Sequence, residues 1–391
     1  MKRAVVLGTA RSGQAAAALL ERNGVEVVLA GRELGNDGDL SLLDGADVLV
    51  KSPGVPRDNP LVAGAKVPVW SEVELAWRFL PNPILGVTGT NGKTTTTEWL
   101  GAMFRAAGRD VAVAGNVGRA LSAVEAPPDA WVVCELSSFQ LEDIHDFRPR
   151  VAVLVNLEFD HLDRHGTFEA YRDAKLRIFE NQQAEDTAVV PRGFGMVPGS
   201  AALLEFAPGD ALPAEPGLPG AHNRENAAAA TTAARAAGIG DDAIAEALVT
   251  FPGVPHRLEL VAELDGVRFV NDSKATNTAA ARRALASYDV PVHVILGGSR
   301  KGESFDELAG ELHGRAYLIG ETGDELAGAL DRAGVPYLRC GDLETAVFAA
   351  AATAEPGEVV LLSPACASYD QFRDFEQRGE EFRRLVQNLS G

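Results

Sequence analysis

The chain has 391 residues and a formal net charge of -19, from 36 basic and 55 acidic side chains. This length predicts two or three domains, and the acidic balance argues against binding of nucleic acid or of an anionic membrane surface. The cysteines Cys134, Cys340 and Cys366 lack the paired spacing of a zinc site or a disulfide framework, and no apolar run approaches the roughly 18 residues of a membrane span. We therefore expect a soluble cytoplasmic protein without a signal peptide.

The first segment begins like a dinucleotide-binding fold. It reads A-V-V-L-G-T-A-R-S-G-Q from Ala4, which predicts a strand, a glycine turn and a helix. Gly8 and Gly13 are in place, but Ala10 replaces the middle glycine and Arg32 stands where a ribose-binding acid is expected. This argues against NAD and favours a phosphate or another polar nucleotide group. A domain with a vestigial glycine turn and no ligand is the alternative.

A second glycine turn reads G-V-T-G-T-N-G-K-T over residues 86–94. The strict phosphate-loop template requires a glycine where Val87 stands. Even so, Gly89 and Gly92 allow backbone N–H groups to converge on an anion at a helix N-terminus. Lys93 would neutralise the β and γ phosphates, and the Thr94 hydroxyl would hold Mg²⁺. An ordinary β-to-α turn is the alternative, but strand, Gly-Lys-Thr and helix in this order favour ATP or GTP.

Polar residues follow the next predicted strands. Glu135 ends the strand W-V-V-C, where a second Mg²⁺ ligand is required beside a phosphate loop. The next strand runs into a cluster of acids and histidines, which could bind metal or form a hydrogen-bonded loop: Asp160, His161, Asp163 and His165. On composition alone, Lys175 reads as a solvated helix lysine. Asn223 and Asn226 open a later helix, where one caps the helix and the other caps it or faces a ligand.

The third segment follows F-P-G-V-P-H-R and again alternates strands with helices. Its apolar strands end in Gly, Ser, Asp or Lys, at the edge where open α/β sheets bind ligands. We therefore predict an α/β fold with three domains. These are an N-terminal Rossmann-like domain over 1–82, a central phosphate-loop ATPase domain with a mostly parallel sheet over 83–252, and a C-terminal Rossmann-like domain over 253–391.

The loop T-G-T-N-G-K-T, with one extra residue after its first glycine, resembles that of the Mur ligases, the ATP-dependent amide-forming enzymes of peptidoglycan synthesis. The resemblance covers the whole chain through G-N-V-G, E-L-S-S-F-Q-L-E, D-H-L-D-R-H, Y-R-D-A-K, H-N-R-E-N, P-H-R, N-D-S-K-A-T-N and L-S-P-A-C-A-S-Y-D-Q-F-R-D-F-E-Q-R-G. The last two motifs are similar to those of the members that add D-glutamate. The D-N-P-R expected of diaminopimelate-adding members is absent from the sequence.

The resemblance implies a reaction and its substrates. ATP phosphorylates the terminal carboxylate of UDP-N-acetylmuramoyl-L-alanine to an acyl phosphate, and the D-glutamate amine attacks it through a tetrahedral intermediate. Two Mg²⁺ sites are implied, in which Mn²⁺ can substitute. The implied enzyme is a cytoplasmic monomer without a nucleic-acid partner.

The resemblance also implies roles for individual residues. Catalysis would depend on Lys93, His161 and Lys175. ATP would be bound by Gly89, Thr90, Asn91, Gly92, Lys93, Thr94, Thr95, Asn223, Arg257 and Asp272. Mg²⁺ would be held by Thr94 and Glu135 at one site, and by His161 and a carbamylated Lys175 at the other.

The resemblance further implies which residues bind the uridine substrate and D-glutamate. The uridine substrate would be bound by Arg11, Ser12, Arg32, Gly54, Asn116, Ser137 and Gln140, and also by His161. D-glutamate would be bound by Lys274, Thr276, Lys301, Ser368 and Phe375. The loop 297–301 departs from the family pattern, because G-G-S-R-K lacks the usual Asp near its lysine. Arg300 could clamp a carboxylate there or face solvent.

Overall fold

The predicted apolar runs form strands of three open sheets that are flanked by helices. The structure is a computed structural model, and it describes residues 1–160, 162–300, 302 and 304–389. The predicted site residues His161 and Lys301 lie outside the described residues.

The first sheet consists of parallel strands. They are β1 Arg3–Leu7, β2 Glu26–Ala30, β3 Val48–Lys51 and β4 Val69–Ser71, in the order β2-β1-β3-β4. The helices of this segment are α1 Arg11–Arg22, α2 Pro60–Ala63 and α3 Glu72–Phe79. Leu7 lies opposite both Ala30 and Lys51, so β1, β2 and β3 end at one edge.

The second sheet is also parallel throughout. Its strands are β5 Ile84–Thr88, β6 Val111–Gly115, β7 Trp131–Glu135, β8 Val151–Leu154, β9 Thr187–Pro191 and β10 Ala202–Phe206, in the order β10-β9-β8-β5-β7-β6. Its helices are α4 Lys93–Ala106, α5 Ser138–Leu141, α6 Leu162–His165, α7 Phe168–Leu176, α8 Ala221–Ala236 and α9 Asp241–Thr250. The strands β5, β7 and β8 are buried along their whole length, as expected of parallel strands with helices on both faces.

The third sheet is parallel except for β11, which forms an antiparallel pair with β12. Its strands are β11 Glu259–Leu264, β12 Val267–Asn271, β13 Val292–Gly297, β14 Gly314–Ile319, β15 Tyr337–Gly341 and β16 Val359–Leu362, in the order β11-β12-β16-β13-β14-β15. Its helices are α10 Thr278–Leu285, α11 Asp306–Gly310, α12 Gly323–Ala333, α13 Leu343–Ala351 and α14 Phe375–Asn388.

The chain divides into two compact units, residues 1–251 and 252–391. The first unit contains the first and second sheets, and the second unit contains the third. The predicted α/β fold with mostly parallel sheets is confirmed, whereas the three functional domains with their boundaries stay a prediction. Among the described helices, none combines the length and apolar character that crossing a membrane requires.

A buried carboxylate ties the first sheet's segment to the second sheet's segment. Glu74 of α3 is fully buried. Its carboxylate accepts hydrogen bonds from the backbone N–H groups of His145, Asp146 and Phe147 at 2.9, 3.1 and 2.9 Å. Arg78 forms an ion pair with the same carboxylate at 2.7 Å. Because a buried charge must be hydrogen-bonded or paired, these contacts fix α3 against the chain that precedes β8.

Candidate active site

The glycine turn after β5 has the backbone shape of a phosphate loop. Gly92 has a φ of 76°, which favours glycine, and a Cβ there would lie 2.0 Å from Oδ1 of Asn226. Helix α4 begins at the next residue, so the N–H groups of its first turn and its positive dipole end face the turn. The loop therefore has the form expected of an anion-binding site.

Residues after β8 brace this loop from the side. The Asn91 N–H donates to Oδ1 of Asn156 at 2.9 Å, and the Asn91 side-chain amide donates to Glu158 at 2.6 Å. The Thr90 hydroxyl lies 3.0 Å from the Tyr171 hydroxyl. A loop held by this many hydrogen bonds is organised before a ligand arrives, which lowers the cost of ordering it on binding.

Two lysines converge on one carbonyl of the loop. Lys93 donates to the carbonyl oxygens of Gly89 and Thr90 at 2.9 and 2.8 Å, and Lys175 donates to that of Gly89 at 2.7 Å. Lys175 is only 2% exposed, so the composition-based expectation of a solvated lysine is wrong. Burial and, second, the Lys93 charge hold the pKa of Lys175 well below its ordinary value.

Glu135 ends β7 beside the loop, because Val87 of β5 lies opposite it in the sheet. Its side chain is buried and accepts a hydrogen bond from the Asn116 amide at 3.0 Å. With the buried Thr94, it offers the oxygen donors that Mg²⁺ prefers, so these residues fit the predicted ion. Within the described ranges, no group of three or more His, Cys, Asp or Glu side chains is placed to hold a metal.

The predicted cluster after β8 is only partly described. His165 at its end lies in a hydrogen-bonded network, with Nε2 3.0 Å from the Ser138 hydroxyl and Nδ1 3.4 Å from Glu142. For His165, the structure therefore favours the loop interpretation over a metal ligand.

Four of the predicted uridine-binding residues lie at the carboxyl edge of the first sheet: Arg11, Ser12, Arg32 and Gly54. Gly8 follows β1, Arg32 follows β2 and Gly54 follows β3. At the start of α1, Arg11 donates to the Gly118 carbonyl at 2.7 Å and the Ser12 hydroxyl lies 3.3 Å from that of Ser52. Arg32 and Gly54 are exposed.

Other predicted contact residues already have structural roles. Ser137 and Gln140 form a reciprocal capping box at the start of α5, at 3.0 and 3.2 Å. The Asn223 amide donates to the Pro219 carbonyl at 2.7 Å, while Asn226 packs against the phosphate loop at Gly92. Of the two asparagines on this helix, Asn226 is therefore the one in contact with the loop.

In the second unit, Asp272 follows β12 and is buried. It accepts hydrogen bonds from the Ser363 hydroxyl at 2.8 Å and from the Leu258 N–H at 3.2 Å. Burial raises the pKa of Asp272 to about 7, although the Ser363 hydrogen bond and the Arg257 charge oppose the rise. Arg257 is half-buried in the loop before β11.

The described residues predicted to bind D-glutamate come from the loops after β12 and β16 and from the first residue of α14. The Lys274 ammonium lies 5.8 Å from the centre of the Phe375 ring, and the Ser273 hydroxyl donates to the Phe375 carbonyl at 2.8 Å. Ser368 is buried, and Thr276 is half-buried in the same loop as Lys274. The structure thus brings Lys274 and Phe375 together.

Arg300 lies in the loop after β13, whose sequence departs from the family pattern. This side chain is 63% exposed and pairs with Glu325. Its neighbour Ser299 exchanges hydrogen bonds with Asp370, which donates its N–H to the Ser299 hydroxyl at 2.8 Å. Arg300 is therefore engaged at the surface by an acid of its own unit.

Comparisons with known proteins agree with this geometry. Residues 87–194 match the Mur ligase middle domain, and residues 256–366 match the Mur ligase glutamate ligase domain. The chain is 41% identical to the UDP-N-acetylmuramoylalanine–D-glutamate ligase of Geobacillus kaustophilus, over 99% of this chain and 98% of that protein. The chain belongs to the Mur ligase family. The enzyme of the same name from Anaeromyxobacter dehalogenans is 42% identical, over 98% of this chain and 97% of that one.

Solved structures of other ligases have a similar fold. The UDP-N-acetylmuramate-alanine ligase of Thermotoga maritima matches with a TM-score of 0.63 at 20% identity, over 100% of both chains. Escherichia coli FolC, solved with ADP, matches with a TM-score of 0.59 at 20% identity, over 82% of this chain and 94% of that one.

Four residues of this Mur ligase site were missed by the sequence analysis. Asn156, Glu158 and Tyr171 brace the phosphate loop. Arg378 is buried and joins the loops after β12 and β16, donating to the carbonyls of Ser273 and Cys366 at 2.8 and 3.2 Å. All four lie inside or beside quoted motifs, so their position in those motifs is the signal that could have found them.

The titration of Asp272 in this Mur ligase leads to a prediction about pH. Its folded-state pKa of about 7 lies above the ordinary 3.8, so its stabilising contribution is present below about pH 4 and lost as the pH rises to about 7. Asn does not titrate. The free energy of unfolding of the wild type, relative to that of Asp272→Asn, should therefore fall by up to about 4 kcal/mol as the pH rises through this window.

Thermal unfolding at a series of pH values checks this expectation. Asp324→Asn, which changes an exposed acid on α12, is the matched control and should follow the wild type. A constant difference between wild type and Asp272→Asn from pH 4 to 8 would show that Asp272 keeps an ordinary pKa.

Proposed function

We propose that the chain uses ATP to join D-glutamate to the L-alanyl carboxylate of UDP-N-acetylmuramoyl-L-alanine, in the synthesis of peptidoglycan precursors. The observation that carries this proposal is the 41% identity, across nearly the whole chain, to enzymes named for that reaction. The braced phosphate loop and the buried Glu135 support the use of ATP. Formation of the acyl phosphate requires the substrate carboxylate to approach the γ phosphate of ATP. Because both groups are anions, their charges must be neutralised.

The phosphate loop supplies the charge for this step. The loop N–H groups and Lys93 bind the phosphates, while Thr94 and Glu135 would hold Mg²⁺, which would neutralise phosphate charge. Mn²⁺ has similar ligand preferences and can substitute. On the second unit, Arg257 contacts the transferred phosphate and Asp272 the ribose.

Lys175 has the environment that carbamylation requires. Only a neutral amine attacks carbon dioxide, and burial beside Lys93 favours the neutral form of Lys175. The carbamate would present an anionic oxygen ligand for the second Mg²⁺, which it would share with His161.

The uridine substrate is assigned to loops of the first and second sheets, and D-glutamate to loops of the third sheet. Arg11, Ser12, Arg32 and Gly54 bind the uridine diphosphate, and Asn116, Ser137 and Gln140 face the muramoyl-alanyl portion. The D-glutamate carboxylates are bound by Lys274, Thr276, Lys301 and Ser368 beside Phe375. We place the enzyme in the cytoplasm as a monomer, and its three free thiols are in keeping with a reducing compartment.

Release of ADP tests the proposed reaction. ADP should accumulate only when ATP, UDP-N-acetylmuramoyl-L-alanine and D-glutamate are all present. Turnover with a folate substrate and glutamate in their place would indicate a folate-extending ligase instead. Nucleotide hydrolysis that is independent of both organic substrates would indicate a nucleotide switch.

Selection of D-glutamate should depend on Lys274. Its removal leaves a substrate carboxylate poorly paired, so Lys274→Met should weaken the apparent affinity for D-glutamate by about 2–5 kcal/mol if the site is desolvated. The KM values for ATP and the uridine substrate should change much less. Steady-state kinetics with each substrate varied in turn measure this.

Lys66→Met, which changes an exposed lysine of the first segment, is the control and should behave as wild type. L-glutamate should compete weakly, because inversion at the α-carbon exchanges the positions of amine and carboxylate. Efficient ligation of L-alanine, L-lysine or diaminopimelate would contradict the assignment of these loops to D-glutamate.

A further inference from the structure

Arg164 of α6 joins the helix that follows β8 to the turn that follows β3. Its guanidinium donates two hydrogen bonds, to the carbonyl oxygens of Pro53 at 2.8 Å and of Val55 at 3.0 Å. These two carbonyls flank Gly54, more than a hundred residues earlier in the chain. A single side chain therefore holds both sides of the turn.

The guanidinium itself is fixed by other contacts. It lies over the Phe139 ring, 4.1 Å from the ring centre, and 3.6 Å from Oε2 of Glu142. Only 18% of the Arg164 side chain is exposed. Planar stacking and a forked set of donors are properties of arginine that lysine does not share.

The peptide geometry links Arg164 to the Gly54 N–H. The Pro53 carbonyl and the Gly54 N–H belong to one planar trans peptide, so they point in opposite directions. Holding the carbonyl toward Arg164 therefore aims the Gly54 N–H away from it. Among the described residues, this N–H has no acceptor, and a Cβ built on Gly54 would meet no atom within 4 Å.

The free N–H and the open space beside it fit an anionic oxygen that approaches the backbone closely. We propose that Arg164 is a positioning residue for the substrate's diphosphate, which it serves by orienting the Gly54 peptide. The proposal rests on the proposed function, in which Gly54 binds the uridine diphosphate. The same arginine, through Phe139 and Glu142, ties that turn to the segment 137–142, where the muramoyl-alanyl portion is assigned.

The test compares Arg164→Met, which loses both hydrogen bonds, with Arg164→Lys, which keeps the charge but not the fork. We expect Arg164→Met to raise the KM for UDP-N-acetylmuramoyl-L-alanine about tenfold or more, since hydrogen bonds from charged donors are lost. The KM for ATP and for D-glutamate and the kcat at saturation should stay within about twofold. Arg164→Lys should fall between Arg164→Met and wild type.

A truncated substrate separates positioning from a general structural role. N-acetylmuramoyl-L-alanine lacks the uridine diphosphate, so its turnover, however slow, should be equal in wild type and Arg164→Met. Arg57→Gln is the matched control, because Arg57 approaches the same Glu142 oxygen at 3.5 Å but is 65% exposed. It should leave every KM unchanged.

Several results would overturn the inference. One is an unchanged KM for the uridine substrate in folded Arg164→Met. Another is an equal loss of activity with the full and the truncated substrate. If wild type joins D-glutamate to neither the full nor the truncated substrate, the proposed function fails. Calorimetric titration with UDP alone then tests the role of Arg164. Weaker UDP binding by Arg164→Met than by wild type then supports its role, whereas equal binding, or no binding by wild type, overturns it.

Discussion

Lys93→Ala is expected to abolish ATP turnover, with a loss of at least about a thousandfold. The Lys93 ammonium lies 2.9 and 2.8 Å from two carbonyls of the phosphate loop, so it is fixed where the β and γ phosphates are assigned. Alanine removes this fixed cation, and the remaining loop carbonyls repel phosphate oxygens. Steady-state ADP release measures the loss.

The control for this variant is Arg105→Ala, which removes an exposed cation from the last turn of the same helix. It should retain wild-type turnover. Circular dichroism should show that both variants are folded. Substantial turnover by folded Lys93→Ala would exclude this loop as the site of phosphoryl transfer.

Lys175→Ala is expected to inactivate the enzyme, and a small carboxylic acid is expected to restore part of the activity. The Lys175 side chain is buried in the first unit, so alanine leaves a space beside Gly89. Acetate can place an anionic oxygen in that space, as the carbamate would. We expect turnover to fall by at least about a hundredfold and to recover partly with added acetate.

A matched control and a second measurement accompany this variant. Arg172→Ala changes a residue of the same helix whose side chain is 44% exposed and pairs with Asp173, and it should need no acetate. Wild type incubated with isotope-labelled bicarbonate should show a carbamate signal in NMR that Lys175→Ala lacks. Full activity of Lys175→Ala without acetate would show that no carbamate is needed.

The fold class could be predicted from the sequence because local patterns encode it. Buried parallel strands appear as continuous apolar runs such as V-A-V-L, and each is followed by small or polar residues at the sheet edge. The phosphate loop was also predictable, since Gly92 and Lys93 are adjacent in sequence to the strand and the helix that shape the site.

The braces of the site could not be predicted in this way because they are long-range. Tyr171 meets Thr90 across 81 positions, and Arg164 meets Pro53 across 111. The burial of Lys175 is likewise a consequence of tertiary packing, since its helix shows nothing unusual in composition. The capping box of Ser137 and Gln140 is the exception, because its spacing of three residues is visible in the sequence.

The buried Glu74 has a consequence for building chimaeras with other Mur ligases. A crossover placed at the predicted boundary between residues 82 and 83 would separate this carboxylate from the backbone of His145, Asp146 and Phe147, which supplies its hydrogen bonds. A partner sequence without a matching turn would leave the charge without its donors, at a cost of several kcal/mol. A crossover near Phe251 keeps the donors and the acceptor in one parent, so the segments of the first and second sheets are best exchanged together.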